Sequence, residues 1–159
     1  MSSSDRPAAD QSTAAAGPAG AGILLRQPFT GGSVRDLRHL VADHLARAGA
    51  AGDAAEDFVQ AVNELVINAV CHGGGGGVLE LRRVADTVVC DVIDNGTGRT
   101  PLTVRAPQPA EPGGRGLWLA HQLTGSLLLT RRPDGVTASV TLCLDGRRTR
   151  STADDAATP

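Results

Sequence analysis

Residues 63–77 read NELVINAVCHGGGGG. Apolar residues recur there at helical spacing, but a carboxylate, an amide and an imidazole interrupt them. Side chains then stop at five consecutive glycines. Phe58, Ala61, Val62, Leu65, Val66 and Ala69 make one broad apolar stripe, which predicts a helix from an N-cap at Asp53 to about Cys71. At about 100° per residue, with Glu64 at zero, the stripe covers roughly 60° to 200°, Asn68 lies at about 40° and His72 at about 80°. Glu64, Asn68 and His72 thus form a row at i, i+4 and i+8 along one border of the buried face. Such a border lines either a cleft beside the core or an ordinary solvated edge, and this segment alone leaves both open. His72 also suits the negative end of the helix dipole. Gly73 is expected at the C′ position, with positive φ. The other four glycines read as a flexible linker in preference to bare backbone beside a bound group.

Outward from this helix the chain alternates in period. GILLRQPF (22–29) reads as a strand. Ser33 opens a helix, with Asp36 three residues on resembling a capping box. Val34, Leu37, Val41, His44, Leu45 and Ala48 fall on one face of that helix. VLELRRV (78–84) and TVVCDVID (87–94) are strands joined at Ala85-Asp86, an antiparallel pair. GLWLAHQLT (116–124) is a third helix. SLLLTRR (126–132) and VTASVTLCL (136–144) make a second hairpin around Pro133-Asp134-Gly135. The order β-α-α-β-β-loop-α-β-β predicts an α+β fold. It is a two-layer α/β sandwich whose mostly antiparallel, mixed sheet is covered on one face by helices. Residues 1–21 and 146–159, rich in small and polar residues, read as disordered tails around one domain, 22–145.

Composition narrows the chemistry. All fifteen cationic residues are arginine, so a P-loop lysine, the strand lysine of the protein-kinase fold and Schiff-base chemistry are excluded. A net charge of −2 argues against nucleic-acid or membrane-surface binding, and the paired arginines read as solvated strand edges and tail. Cys71, Cys90 and Cys143 are widely spaced in apolar runs. They are expected to be reduced, small buried residues of a cytoplasmic chain. Trp118 is expected to pack in the core.

Two further glycine motifs complete the pattern. DNGTG (94–98) ends a strand, and GGRGLWLA (113–120) opens a helix, whose free amides and positive dipole end favour phosphate. Neither is a dinucleotide fingerprint. In this order, E-x-x-x-N on a helix, D-x-G-x-G after a strand and G-x-G-L opening a helix resemble the GHKL ATPases, over roughly residues 22–144. Within that superfamily, Glu64 to Gly73 and Gly113 to Leu117 look most like the bacterial anti-sigma-factor serine/threonine kinases.

The resemblance implies the Bergerat ATP-binding fold, with ATP and Mg²⁺ as cofactors. It implies that Asp94 accepts a hydrogen bond from the adenine amine and that Thr137 supports the base. Gly96 and Gly98 would let backbone pass close to the nucleotide. Asn68 would ligate Mg²⁺ through its amide oxygen. Gly114, Arg115, Gly116 and Leu117 would hold the phosphates, and residues 99–113 would form a lid. Glu64 would be the general base, and His72 stands between helix termination and a site contact. The implied partners are a sigma factor and a small STAS-like anti-anti-sigma protein, with a possible homodimer. Two alternatives stand beside the kinase: a catalytically weak ATP-binding switch and a fragment of a sensor histidine kinase. The fragment is disfavoured because no long dimerisation helix pair accompanies His39 and His44.

Overall fold

The computed structural model describes residues 21–96 and 115–145. Strand β1 (Ala21–Thr30) leads through a 3₁₀ turn (Gly31–Ser33) into α1 (Val34–Arg47) and α2 (Gly52–His72). The hairpin β2 (Gly76–Val84) and β3 (Thr87–Asp94) follows, then α3 (Arg115–Thr124) and the hairpin β4 (Leu128–Arg132) and β5 (Gly135–Cys143). The five strands form one sheet in the order β1-β2-β3-β5-β4. Every neighbouring pair is antiparallel, so the expected α+β sandwich is present and the sheet of the described residues is not mixed.

Strict alternation sorts the sheet's two faces. Leu79, Leu81, Val88, Cys90, Val92 and Val140 point under the helices and are buried. The other face carries a polar ladder. Arg26 pairs with Glu80, Arg82 donates to Asp91 from Nε at 3.1 Å and Nη2 at 2.8 Å, and Ser139 donates to the second Asp91 oxygen. Arg82 and Asp91 therefore belong to a cross-strand network rather than a solvated edge.

The buried residues of α2 are Phe58, Ala61, Val62, Leu65, Val66 and Ala69, the predicted stripe without addition. Full burial of each larger apolar side chain contributes roughly 1.5–3 kcal/mol, so α2 is fixed in rotation and its border residues are fixed with it. In α1, Leu37, Val41 and Leu45 are buried, and Val34, His44 and Ala48 are half-buried beside them.

Several local expectations are corrected. Ser33 does not cap α1. Its hydroxyl accepts from the Thr30 amide at 3.0 Å and donates to the Thr30 carbonyl at 3.1 Å, closing the 3₁₀ turn. Asp53 is not the N-cap of α2, because the helix begins one residue earlier with Ala51 flanking it. Asp53 instead sits in the first turn, where a carboxylate meets the positive end of the dipole. Pairing in β4 begins at Leu128 rather than Ser126. The Ser126 hydroxyl takes both backbone groups of Thr141, at 3.0 and 3.3 Å, in place of a ladder partner. Cys71 is exposed, because it lies off the buried stripe; Cys90 is buried and Cys143 half-buried. Trp118 is only half-buried. The expected tails, and the lid segment 99–113, lie outside the described residues apart from Ala21, which begins β1.

The glycine run is the largest correction. Gly76 and Gly77 are strand residues, paired with Thr30 and Phe29 on one side and, for Gly77, with Asp94 on the other. Gly73 has φ −108, and the positive values fall at Gly74 (+88) and Gly75 (+91). The run is a tight reversal from α2 into the sheet. It is not a linker.

Candidate nucleotide-binding site

Asp94 is the last residue of β3 and faces the helices, yet it is only 5% exposed. A buried carboxylate is costly unless hydrogen bonds compensate it. Its Oδ1 accepts from the Val136 amide at 2.9 Å and from the Gly96 amide at 3.2 Å. The regular pairing of β3 with β5 ends at Ile93 and Thr137, one residue short of Asp94. Beyond that point the carboxylate itself joins the two strands.

Glycines crowd this carboxylate because nothing larger fits. A Cβ at Gly73 would stand 2.6 Å from Asp94 Oδ2, and one at Gly135 would stand 2.4 Å from Oδ1. A Cβ at Gly96 would lie 2.7 Å from the Gly73 carbonyl carbon, and one at Gly77 would lie 2.0 Å from the Ile93 oxygen. Real Cβ atoms do not approach so closely. The glycines are therefore bare because the Asp94 carboxylate and neighbouring backbone pack directly against them, which neither the linker nor the bound-group reading anticipated.

Above Asp94 lies a narrow cleft between the sheet and two helices. Leu65 and Asn68 of α2 and Leu117 of α3 form its roof and sides, with Val136 and Ala138 as floor. Apolar walls around one buried acceptor suit a flat heteroaromatic ring that carries a donor. A roomier groove lies between α1 and α2. Its charged residues Arg38, His39 and Glu56 are all exposed, so no buried polar group converges there, and the smaller cleft is the candidate site.

Glu64 does not line the cleft but is half-buried next to two residues that do, Leu65 in sequence and Asn68 one turn on, where α2 meets the first turn of α3. Its Oε1 accepts from Gln60 Nε2 at 3.0 Å. Its Oε2 lies 3.2 Å from where a Cβ on Gly116 would be, which places the carboxylate against the amino end of α3. Gln60 carried no signal in sequence, since i, i+4 polar pairs are ordinary on helices.

The predicted residues divide accordingly. Asn68, Asp94 and Leu117 share the cleft, Glu64 and Gly116 touch beside it, and Gly96 braces Asp94. Arg115 is exposed at the start of α3, and His72 is exposed at the end of α2. Gly98 and Gly114 lie outside the described residues. Thr137 is not brought to the cleft. It alternates with Val136 and Ala138, so its side chain is on the opposite face of the sheet, between Ile93 and Thr130. It is the neighbouring Val136 that lines the cleft, and its backbone amide donates to Asp94.

A family model, the histidine kinase-like ATPase domain, matches residues 27–142. The chain belongs to this family. The match spans both glycine-flanked strands and all three helices, and the resemblance to the GHKL superfamily is borne out. An ATPase domain of this kind is an ATP-binding module. Among solved structures, the chain is similar to the RsbU and RsbW domains of Rv1364c from Mycobacterium tuberculosis, at 25% identity and a TM-score of 0.54. That match covers 74% of this chain and 32% of the other, so the chain spans about a third of that relative. The similarity accords with the anti-sigma kinase branch. A histidine kinase, AdeS of Acinetobacter baumannii, also aligns, at 15% identity and a TM-score of 0.45, over 77% of this chain and 68% of that one. No curated protein matches. Among the described residues, no helix is long and apolar enough to cross a membrane.

Proposed function

We infer that this chain is an ATP- and Mg²⁺-dependent serine/threonine kinase that regulates transcription in the cytoplasm. Its substrate would be a small STAS-like anti-anti-sigma protein, and without that partner it would hold a sigma factor. The observation that carries this reading is the placement of Glu64. The half-buried carboxylate stands beside the cleft that holds Asp94 and Asn68, at the amino end of α3. A pure nucleotide binder needs the base and phosphate contacts but no carboxylate there.

The residues present fit the nucleotide. Asp94 offers a buried acceptor for an amine on the base, within apolar walls. The first amides of α3 and exposed Arg115 offer positive charge to phosphates. Among the described residues no three of His, Cys, Asp and Glu gather to hold a cation. Asn68 would hold Mg²⁺ through its amide oxygen, together with phosphate oxygens. Bound Mg²⁺-ATP supplies the transferable phosphoryl group. Glu64 orients the incoming hydroxyl and accepts its proton, with Oε1 held by Gln60.

The test is incubation with labelled ATP, Mg²⁺ and STAS-like proteins, followed by phosphoamino-acid analysis. Acid-stable phosphoserine or phosphothreonine is expected. Glu64→Ala should keep nucleotide affinity and lower transfer by roughly 10²- to 10⁴-fold. Tight binding with no transfer to any such protein would instead identify a nucleotide-dependent switch.

A further inference from the structure

The backbone of Asp94 is held by a side chain that no glycine motif contains. Arg132, the last residue of β4, reaches across the end of β5 and donates from Nη2 to the Asp94 carbonyl at 3.2 Å. Its Nη1 donates to Asp134 in the two-residue turn at 3.0 Å. The Asp94 carbonyl lies beyond the last regular β3–β5 pair. A backbone acceptor there needs a partner from elsewhere, and the guanidinium provides it. Because Asp134 is 78% exposed, the ion pair itself contributes little. Its service is to aim the planar fork.

We propose that Arg132 is a positioning residue for base recognition. By holding the Asp94 backbone it sets the angle at which the carboxylate meets the purine, and so sets the preference for a 6-amino over a 6-oxo purine nucleotide. This rests on the nucleotide reading given above. The physical argument is one of leverage. The carboxylate is two bonds from its own backbone, and Oδ1 is already tied to the amides of Gly96 and Val136. Rotation of the Asp94 peptide would therefore strain those two bonds or swing the carboxylate away from the ring. A 6-oxo purine presents an acceptor to a carboxylate, so its binding does not use this geometry. Discrimination between the two rings is thus the property that Arg132 controls, separately from phosphate binding.

The test measures dissociation constants of ATP and ITP, with Mg²⁺, by calorimetry on the full chain. Arg132→Met keeps the apolar stem and removes the donors. It should lower the ATP-over-ITP ratio by roughly three- to tenfold, with ITP affinity within about twofold of the unchanged protein. An unchanged ratio, or equal loss of both nucleotides, would overturn the proposal. If Arg132→Met does not fold, Arg132→Lys carries the test. An ammonium on a flexible stem lacks the rigid fork that aims one donor at each of Asp94 and Asp134, so the ratio should fall at least about twofold; an unchanged ratio in the folded lysine variant counts against the proposal. Should the unchanged protein bind neither nucleotide, the nucleotide reading itself fails; should it bind both alike, the chain takes up nucleotides without reading the amine, and the proposal is overturned.

Discussion

Gly73 lies so close to Asp94 that a methyl group on it would stand 2.6 Å from both Cβ and Oδ2 of the carboxylate. The end of α2 and the end of β3 are therefore one structural unit. Gly73→Ala must displace Asp94, the Ala69 carbonyl, or both. It should cost about 1–3 kcal/mol of stability and lower ATP affinity at least severalfold. Gly75 has open space around its Cβ position but φ of +91. Gly75→Asn, which tolerates that backbone, should leave ATP affinity within about twofold. Thermal unfolding and calorimetry on the two variants check the contrast; equal loss in both would mean the run acts as a whole and not through Asp94.

Gln60 donates to Glu64 one turn along α2. Gln60→Leu should leave nucleotide affinity unchanged and reduce phosphotransfer by about three- to thirtyfold, because the base loses its orienting donor. Single-turnover transfer at saturating ATP measures this. A variant that transfers at full rate would remove Gln60 from the site.

Thr137 and Val136 separate the two faces of β5. Thr137→Val should not change ATP affinity by more than about twofold, since its hydroxyl is on the face away from the cleft. A loss of tenfold or more would show that the strand presents Thr137 to the nucleotide in solution.

Burial pushes the Cys90 thiol well above its ordinary range near 9.0, with the neighbouring Asp91 charge acting in the same direction. In the folded protein Cys90 stays protonated, while in the unfolded chain it ionises above about pH 8.5. Stability is therefore undiminished by this group below that pH and falls as pH rises past it. Cys90→Ala should flatten the alkaline slope of stability measured by denaturant titration. Thiol labelling of the native protein should reach Cys71 quickly and Cys90 only on unfolding.

Much of this was legible in the sequence, for a physical reason. Core-facing residues obey periodicity, so the α2 stripe and the alternation in Thr87–Asp94 translate directly into burial. What was not legible depended on contacts between distant segments. The glycine run looked like a linker because its partners, Asp94 and Gly96, arrive from twenty residues further on. Arg132 looked like a solvated strand edge because the carbonyl it serves is 38 residues away. Thr137 was misplaced by one position, and in a strand a shift of one residue exchanges the faces of the sheet. The Ser33 cap failed because the preceding 3₁₀ turn takes its hydroxyl, and the Asp53 cap because α2 already begins at Gly52.

Every role proposed for this chain depends on the Asp94 cleft taking up ATP by reading its amine. Calorimetric titration with Mg²⁺-ATP of the unchanged protein and of Asp94→Asn tests it most directly. The asparagine keeps an oxygen for the Val136 and Gly96 amides, so the fold should persist by circular dichroism. Saturable one-to-one binding is expected, weakened by roughly ten- to a hundredfold in the variant. Absence of uptake by the folded, Mg²⁺-supplied protein, or full affinity in Asp94→Asn, would contradict it.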